Sequence, residues 1–203
     1  MSYELSSAEV VAMRELLDKQ AIQDVMTRYL RFADRRDPDA MKTIFWDEGT
    51  DDHGMYNGPA DEFFSILMEQ GQRPWAPDAG VGRTLAHNHN LGPAYIEFVG
   101  HDQAKVESYF NFVCTRNHHG EDVLGTLIGR YRDLFEKRNG EWRVLHRTVV
   151  YDTAAVQPYE PAWDFFAMVD AKRGALSPND PIYDASWAPS HNDETKEERD
   201  AAR

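Results

Sequence analysis

A single cysteine, Cys114, in a chain of 203 residues excludes an internal disulfide and any metal centre built from several thiolates. It falls in an apolar, strand-like run and reads as buried filler. Basic residues are scarce: 22 Lys and Arg stand against 35 Asp and Glu, for a formal net charge of -13. Nucleic acid and anionic membrane both require clustered Lys and Arg, so neither is an expected partner. No apolar run approaches the roughly 20 residues of a membrane span. The opening Met-Ser-Tyr-Glu-Leu-Ser-Ser has no basic region followed by an apolar core, so no secretory signal is visible. A soluble, cytoplasmic protein is the expectation. Internal repeats and phosphate-binding glycine loops are absent as well.

What remains is 41% hydrophobic and 12% aromatic. The length suits one domain of roughly 100–200 residues with extensions. Ser6 or Ser7 is placed to cap a short first helix through Leu17, with Glu9 in its first turn. A long amphipathic helix follows and stops at Arg35-Arg36-Asp37-Pro38. Asp39 to Phe45 reads as another turn or two of helix, Asp47 to His53 as a strand, and Tyr56-Asn57-Gly58-Pro59 as a turn. Pro59 then begins a helix with Phe63, Ile66 and Leu67 at core spacing.

From Gln70 to Val81 the chain is loop-like. Beyond Arg83 the period changes to two, and Leu91–Val99, Lys105–Thr115, Val123–Lys137 and Trp142–Thr153 read as four strands. Asn139-Gly140 between the last two is a strong hairpin signal. Helices first and a meandering sheet afterwards imply an α+β domain, N-terminal helices packed on a curved, mostly antiparallel sheet. After Thr153 the pattern dissolves into a proline- and aromatic-containing tail. The charged stretch from His191 to Arg203 is expected to be disordered or a solvated helix.

One placement carries chemical meaning. Ile22, Met26, Leu30 and Asp34 recur every four residues, so an α-helix sets them on one face. Val25, Tyr29 and Ala33 form the adjacent row. The inward face therefore carries a phenol and a carboxylate, and a desolvated carboxylate is a candidate proton-transfer group. The plainer alternative is an Asp34 at a fraying helix end, facing water or pairing with Arg35 or Arg36. His87 and His89 form His-x-His, which a strand points one way, and His53, His118 and His119 add possible ligands. No carboxylate completes a recognisable metal spacing, so no metal is assigned. Asp51-Asp52-His53 is either a second acid–base cluster lining a pocket or an exposed strand end.

Four segments resemble a known family: Ala21-Ile-Gln-Asp running to Asp37, Asp51-Asp-His-Gly54, His89-Asn-Leu-Gly92, and Gly140-Glu-Trp-Arg-Val-Leu-His-Arg-Thr148. Over Leu16 to Asp152 the chain looks like a SnoaL-like protein of the nuclear transport factor 2-like superfamily, the cone-shaped α+β barrels. The resemblance implies a barrel domain over residues 1–156 and a C-terminal extension over 157–203. It is nearest to cofactor-free lyases of the scytalone dehydratase, bile acid 7α-dehydratase and hexachlorocyclohexane dehydrochlorinase types. Carried over onto this sequence, it implies an Asp34–His89 dyad, His89 preceding Glu97-Phe98-Val99, and a cavity arginine at Arg147. Tyr29 stands where the dehydrochlorinase pattern has lysine, a departure that favours the dehydratase type and an oxygenated substrate.

General chemistry fits these roles. An imidazole titrates near neutrality and can act as a base, with an aspartate fixing its tautomer. A tyrosine hydroxyl and an arginine can stabilise developing negative charge. Tyr29, Asp34, His89 and Arg147 are thus the candidate catalytic set, and His53, His87, Phe110 and Asn111 the candidate substrate contacts. No cofactor is expected. The expected reaction is dehydration, or retro-aldol loss of formaldehyde from a lignin-derived diaryl compound or another aromatic or polycyclic alcohol. Two alternatives stay open: a non-catalytic binding or dioxygenase β-subunit-like role, and a steroid or polyketide isomerase or cyclase. A homotrimer built on the outer face of the sheet is also expected.

Overall fold

The computed structural model describes residues 4–72, 87–118, 121–160, 174–175 and 179–184. Helix α1 spans Ser7–Arg35 as one rod of 29 residues, where the sequence suggests two helices. Nothing between Leu17 and Gln20 breaks it. The polar residue there, Asp18, accepts hydrogen bonds from Lys137 Nζ at 2.6 Å and Trp142 Nε1 at 2.9 Å. Its N-terminus is closed by a reciprocal cap: Ser6 Oγ accepts from the Glu9 backbone at 3.3 Å, and Glu9 Oε2 accepts from the Ser6 backbone at 2.8 Å. Its C-terminus ends in a left-handed Arg36, φ 57° and ψ 48°. Only the second half of the rod lies on the sheet. Ile22, Val25, Met26, Tyr29, Leu30 and Ala33 are buried, whereas Val11, Met13, Leu16 and Leu17 are exposed.

Helix α2 is a single turn, Pro38–Met41, because the chain enters strand β1, Phe45–Asp52, sooner than the expected helix would permit. The turn lies at residues 53–56, with Gly54 at φ 73°, rather than at Tyr56–Pro59. Asn57–Pro59 instead forms a short strand, β2, antiparallel to β1. Helix α3, Ala60–Gln72, then buries Phe63 and Phe64, while Ile66 is only half-buried.

Strands β3 (His87–Val99), β4 (Gln103–His118), β5 (Glu121–Arg138) and β6 (Glu141–Pro158) complete a six-stranded sheet in the order β2-β1-β6-β5-β4-β3. β1 runs parallel to β6 and all other pairings are antiparallel. The sheet is open and curls around α1, which packs against β3 and β6. Asn139 and Gly140, φ 52° and 85°, make the β5–β6 turn. Bulges bend the long strands, one of them at Ile128/Gly129. A Cβ on Gly129 would stand 2.2 Å from the Val150 carbonyl oxygen, so the bend requires glycine. Edge strand β3 has its own irregularity between Leu91 and Ala94, at Gly92-Pro93.

This topology decides where the chemistry sits. The start of β3, an edge strand, and the end of β1, second from the other edge, point toward the same end of the sheet. The inner face between them is closed by α1. Cys114 is buried. The stretch from His191, Trp75, His119 and the tail aromatics Trp163, Phe165 and Phe166 lie outside the described residues.

The Asp18 carboxylate ties the exposed half of α1 to the β5–β6 hairpin. Partial burial pushes its pKa up, but the hydrogen bonds from Lys137 and Trp142 outweigh this and hold it below the ordinary 3.8. A depressed folded-state pKa gives stability that is present above the unfolded pKa and lost as pH falls through the folded one. Asp18→Asn should therefore lose about 1–3 kcal/mol at neutral pH. In denaturant titrations the gap between wild type and variant should close below about pH 3.8. A gap that persists undiminished at lower pH would assign Asp18 a role other than its charge.

Candidate active site

The last turn of α1 brings Asp34 beside the start of β3. Asp34 Oδ1 lies 2.5 Å from His89 Nδ1, and Oδ2 accepts the His89 backbone N–H at 3.0 Å. Two contacts to one residue fix both the carboxylate and the strand. The side chains keep 11% and 17% exposure, so the pair is sheltered yet reachable. The His89 ring lies against Phe112, its register partner on β4, with centroids 4.3 Å apart. When Nδ1–H is donated to Asp34, the Nε2 lone pair is free, and nothing among the described residues bonds it.

Deeper in, Arg147 on β6 is fully buried. Its Nε and Nη2 each donate to one oxygen of Asp133 on β5, both at 2.7 Å. Its Cζ lies 3.9 Å from the Tyr29 ring centroid and 4.2 Å from that of Tyr131, so two phenols sandwich the cation. Burial alone would lower the Arg147 pKa. The charge and hydrogen bonds of Asp133 reverse this and hold it well above its usual value. Burial also pushes the Tyr29 hydroxyl up to about 12, against the pull of Arg147. Tyr131 is raised well above the normal phenol range by the same desolvation. Both phenols therefore stay protonated, and able to donate, at neutral pH.

Three buried polar atoms around this pair have no partner among the described residues: Arg147 Nη1, Asp51 Oδ2 and Ser108 Oγ. Buried groups in this condition are unusual and cost free energy unless something else bonds them. Asp51 faces Arg147 in the β1–β6 register, and its charge acts on Tyr29, Tyr131 and Arg147. Its Oδ1 lies 2.6 Å from His53 Nδ1, and the His53 ring stacks on Phe63 at 4.1 Å. Asp51, fully buried, and His53, 13% exposed, thus form a second sheltered pair rather than an exposed strand end.

The other candidates separate. Phe110 points inward and stacks on Tyr131 at 4.6 Å. Asn111 is exposed, on the opposite face of β4 from Phe110, and the alternation of a strand removes it from the site. His87 opens β3 opposite Cys114, and the His87 and His118 side chains lie outside the described residues. Among the described residues no group of three or more His, Cys, Asp or Glu is arranged to hold a metal ion.

The SnoaL-like domain profile matches residues 14–148. The chain belongs to the SnoaL-like family. No curated protein matches it. Among solved structures, this SnoaL-like chain is similar to hexachlorocyclohexane dehydrochlorinase LinA-type3 from Novosphingobium barchaimii LL02, with 19% identity, a TM-score of 0.57, and coverage of 74% of this chain and 99% of that one. A putative scytalone dehydratase from Novosphingobium aromaticivorans gives 18%, 0.57, 73% and 95% in the same order. The β subunit of a putative aromatic-ring-hydroxylating dioxygenase from the same organism gives 22%, 0.53, 68% and 92%. These likenesses show the nuclear transport factor 2-like fold.

Asp133, Tyr131 and Ser108 escaped the sequence reading. A signal was present for the first two: Tyr131, Asp133 and Phe135 alternate on the buried face of β5, so an acid interrupts an apolar row. Removing one partner of a buried ion pair strands the other's charge. Asp133→Ala should cost about 3–5 kcal/mol in denaturant unfolding. Asp133→Leu combined with Arg147→Met should recover most of that loss. A single variant as stable as wild type would contradict the pairing.

Proposed function

We propose that this protein is a cofactor-free lyase acting on an aromatic or polycyclic alcohol. The observation that carries the reading is the 2.5 Å Asp34–His89 contact through Nδ1, with Nε2 bonded by nothing among the described residues. In dehydration, Nε2 takes a proton from the carbon beside a carbonyl. The C–H electrons form the double bond, the C–O bond breaks, and the leaving hydroxide needs one proton to depart as water. In retro-aldol cleavage the same nitrogen takes the hydroxyl proton, and the C–C bond breaks to release an aldehyde such as formaldehyde. Asp34 holds the tautomer and stabilises the imidazolium that forms. Protonated Tyr29 and Arg147 Nη1 are donors for the oxyanion. A purely structural subunit has no use for such polar groups inside an apolar cone, and their presence supports the enzymatic reading.

A screen of aryl β-hydroxyketones, hydroxymethyl diaryl compounds and steroidal alcohols, read by mass spectrometry for loss of water or formaldehyde, tests the proposal. His89→Ala should lower turnover by about 10²–10⁴-fold, the usual contribution of positioned proton transfer. Tyr29→Phe should damage turnover more than thermal stability, since the ring keeps its packing. Unchanged turnover in both His89→Ala and Asp34→Asn would reject the dyad. Activity lost to a chelator and restored by a divalent ion would replace the scheme with a metal-dependent one.

A homotrimer assembled through the outer face of the sheet is part of the same proposal. Exposed Tyr95, Tyr109 and Ile128 support it. Light scattering at micromolar concentration should report three chains. A lone monomer would refute it.

A further inference from the structure

We propose that Asp51 and His53 are a second proton-transfer pair, in which His53 is the imidazolium acid that works opposite the neutral base His89. The inference rests on the lyase reading above and adds the proton donor which that reading lacks. The two dyads are built alike. In each, Nδ1 meets an aspartate, at 2.5 Å for His89 and 2.6 Å for His53, and the ring leans on a phenylalanine. In each, nothing among the described residues bonds Nε2. His53 follows β1 and His89 lies near the start of β3, toward the same end of the curled sheet, with Arg147 on β6 and Tyr131 on β5 in the strands between.

What differs is the compensation of the two carboxylates. Asp34 accepts a backbone N–H through Oδ2 and faces the positive charge of Arg36. Its histidine need not be charged. Asp51 is fully buried, its Oδ2 has no partner, and the nearby cation, Arg147, is already matched by both oxygens of Asp133. An uncompensated buried carboxylate is strongly unfavourable, so the group that balances Asp51 is His53 carrying two ring protons. Among the described residues, the groups facing this pair are Tyr29 on α1, Tyr56 in the β1–β2 turn, Phe63 on α3, Tyr131 and Asp133 on β5, and Arg147 and Tyr151 on β6. None but Arg147 offers a positive charge. Two histidines whose surroundings set opposite protonation states make an acid and a base.

In a dehydration the atoms balance as follows. His89 Nε2 takes the carbon-bound proton, the C–H pair becomes the C=C bond, and the C–O bond breaks. The leaving oxygen takes the proton from His53 Nε2 and departs as water. Proton exchange with solvent resets both rings.

The test needs no substrate. Nitrogen-15 NMR of the full chain labelled at histidine, at neutral pH, counts the protons on each ring, with His53→Gln and His89→Gln assigning the signals. Two protonated nitrogens are expected on His53 and one, Nδ1, on His89. Loss of the second His53 proton in Asp51→Asn is expected as well. A singly protonated His53 in the wild type, or both rings in one state, overturns the proposal whatever the variants do. In turnover of an aryl β-hydroxyketone, His53→Gln should lower kcat by about 10²–10⁴-fold with KM little changed. The acetate ester of the same compound, whose leaving group needs no proton, should restore most of that loss. A His53→Gln enzyme equally active on the alcohol also overturns the proposal. Should no alcohol be turned over by the wild type, the lyase reading fails while the ring protons still decide the pair.

Discussion

The fold is organised around one buried cation. Arg147 lies out of reach of water, and an unpaired guanidinium there would be costly. It is held from two elements at once: the Asp133 fork and the Tyr131 ring on β5, and the Tyr29 ring on α1. Satisfying that charge fixes the register of β5 against β6 and the rotation of α1 over the sheet. Asp34 is five residues beyond Tyr29 on the same helix, so its position beside the start of β3 follows from the same constraint.

The curvature of the sheet does the rest. Bulges in β5 and β6, with glycine at Gly129 where no Cβ fits, bend the sheet until its two edges flank one inner face. The parallel pairing of β1 with β6 sends the end of β1 toward the same end as the start of β3. Polar groups distant in sequence are thereby buried together beneath α1, where hydrogen bonds and charges act more strongly than in water.

Much of this was legible in the sequence because it is local. The period-four stripe placed Asp34 with the buried face of α1, Ser6 and Glu9 announced the helix start, and Asn139-Gly140 announced the hairpin. The dyad with His89 and the place of Arg147 were legible through family resemblance, since helix and strand periodicity cannot pair residues 55 positions apart. The single long α1 reads as two helices in the sequence, since the partners of Asp18 that anchor its middle lie far along the chain, at Lys137 and Trp142. The Asp133–Arg147 fork depends on the bulged β5–β6 register, which no local pattern encodes. Asn111 failed by one residue, the smallest error a strand permits and one that exchanges inside for outside.

Strand β3 is an edge, and an edge presents unpaired backbone groups to any neighbouring chain. Gly92-Pro93 interrupts its ladder, and Pro93 has no N–H to give. A second sheet therefore cannot zip along β3 without a gap in its hydrogen bonds. The edge that carries His89 is thereby blunted against becoming a fibre seam.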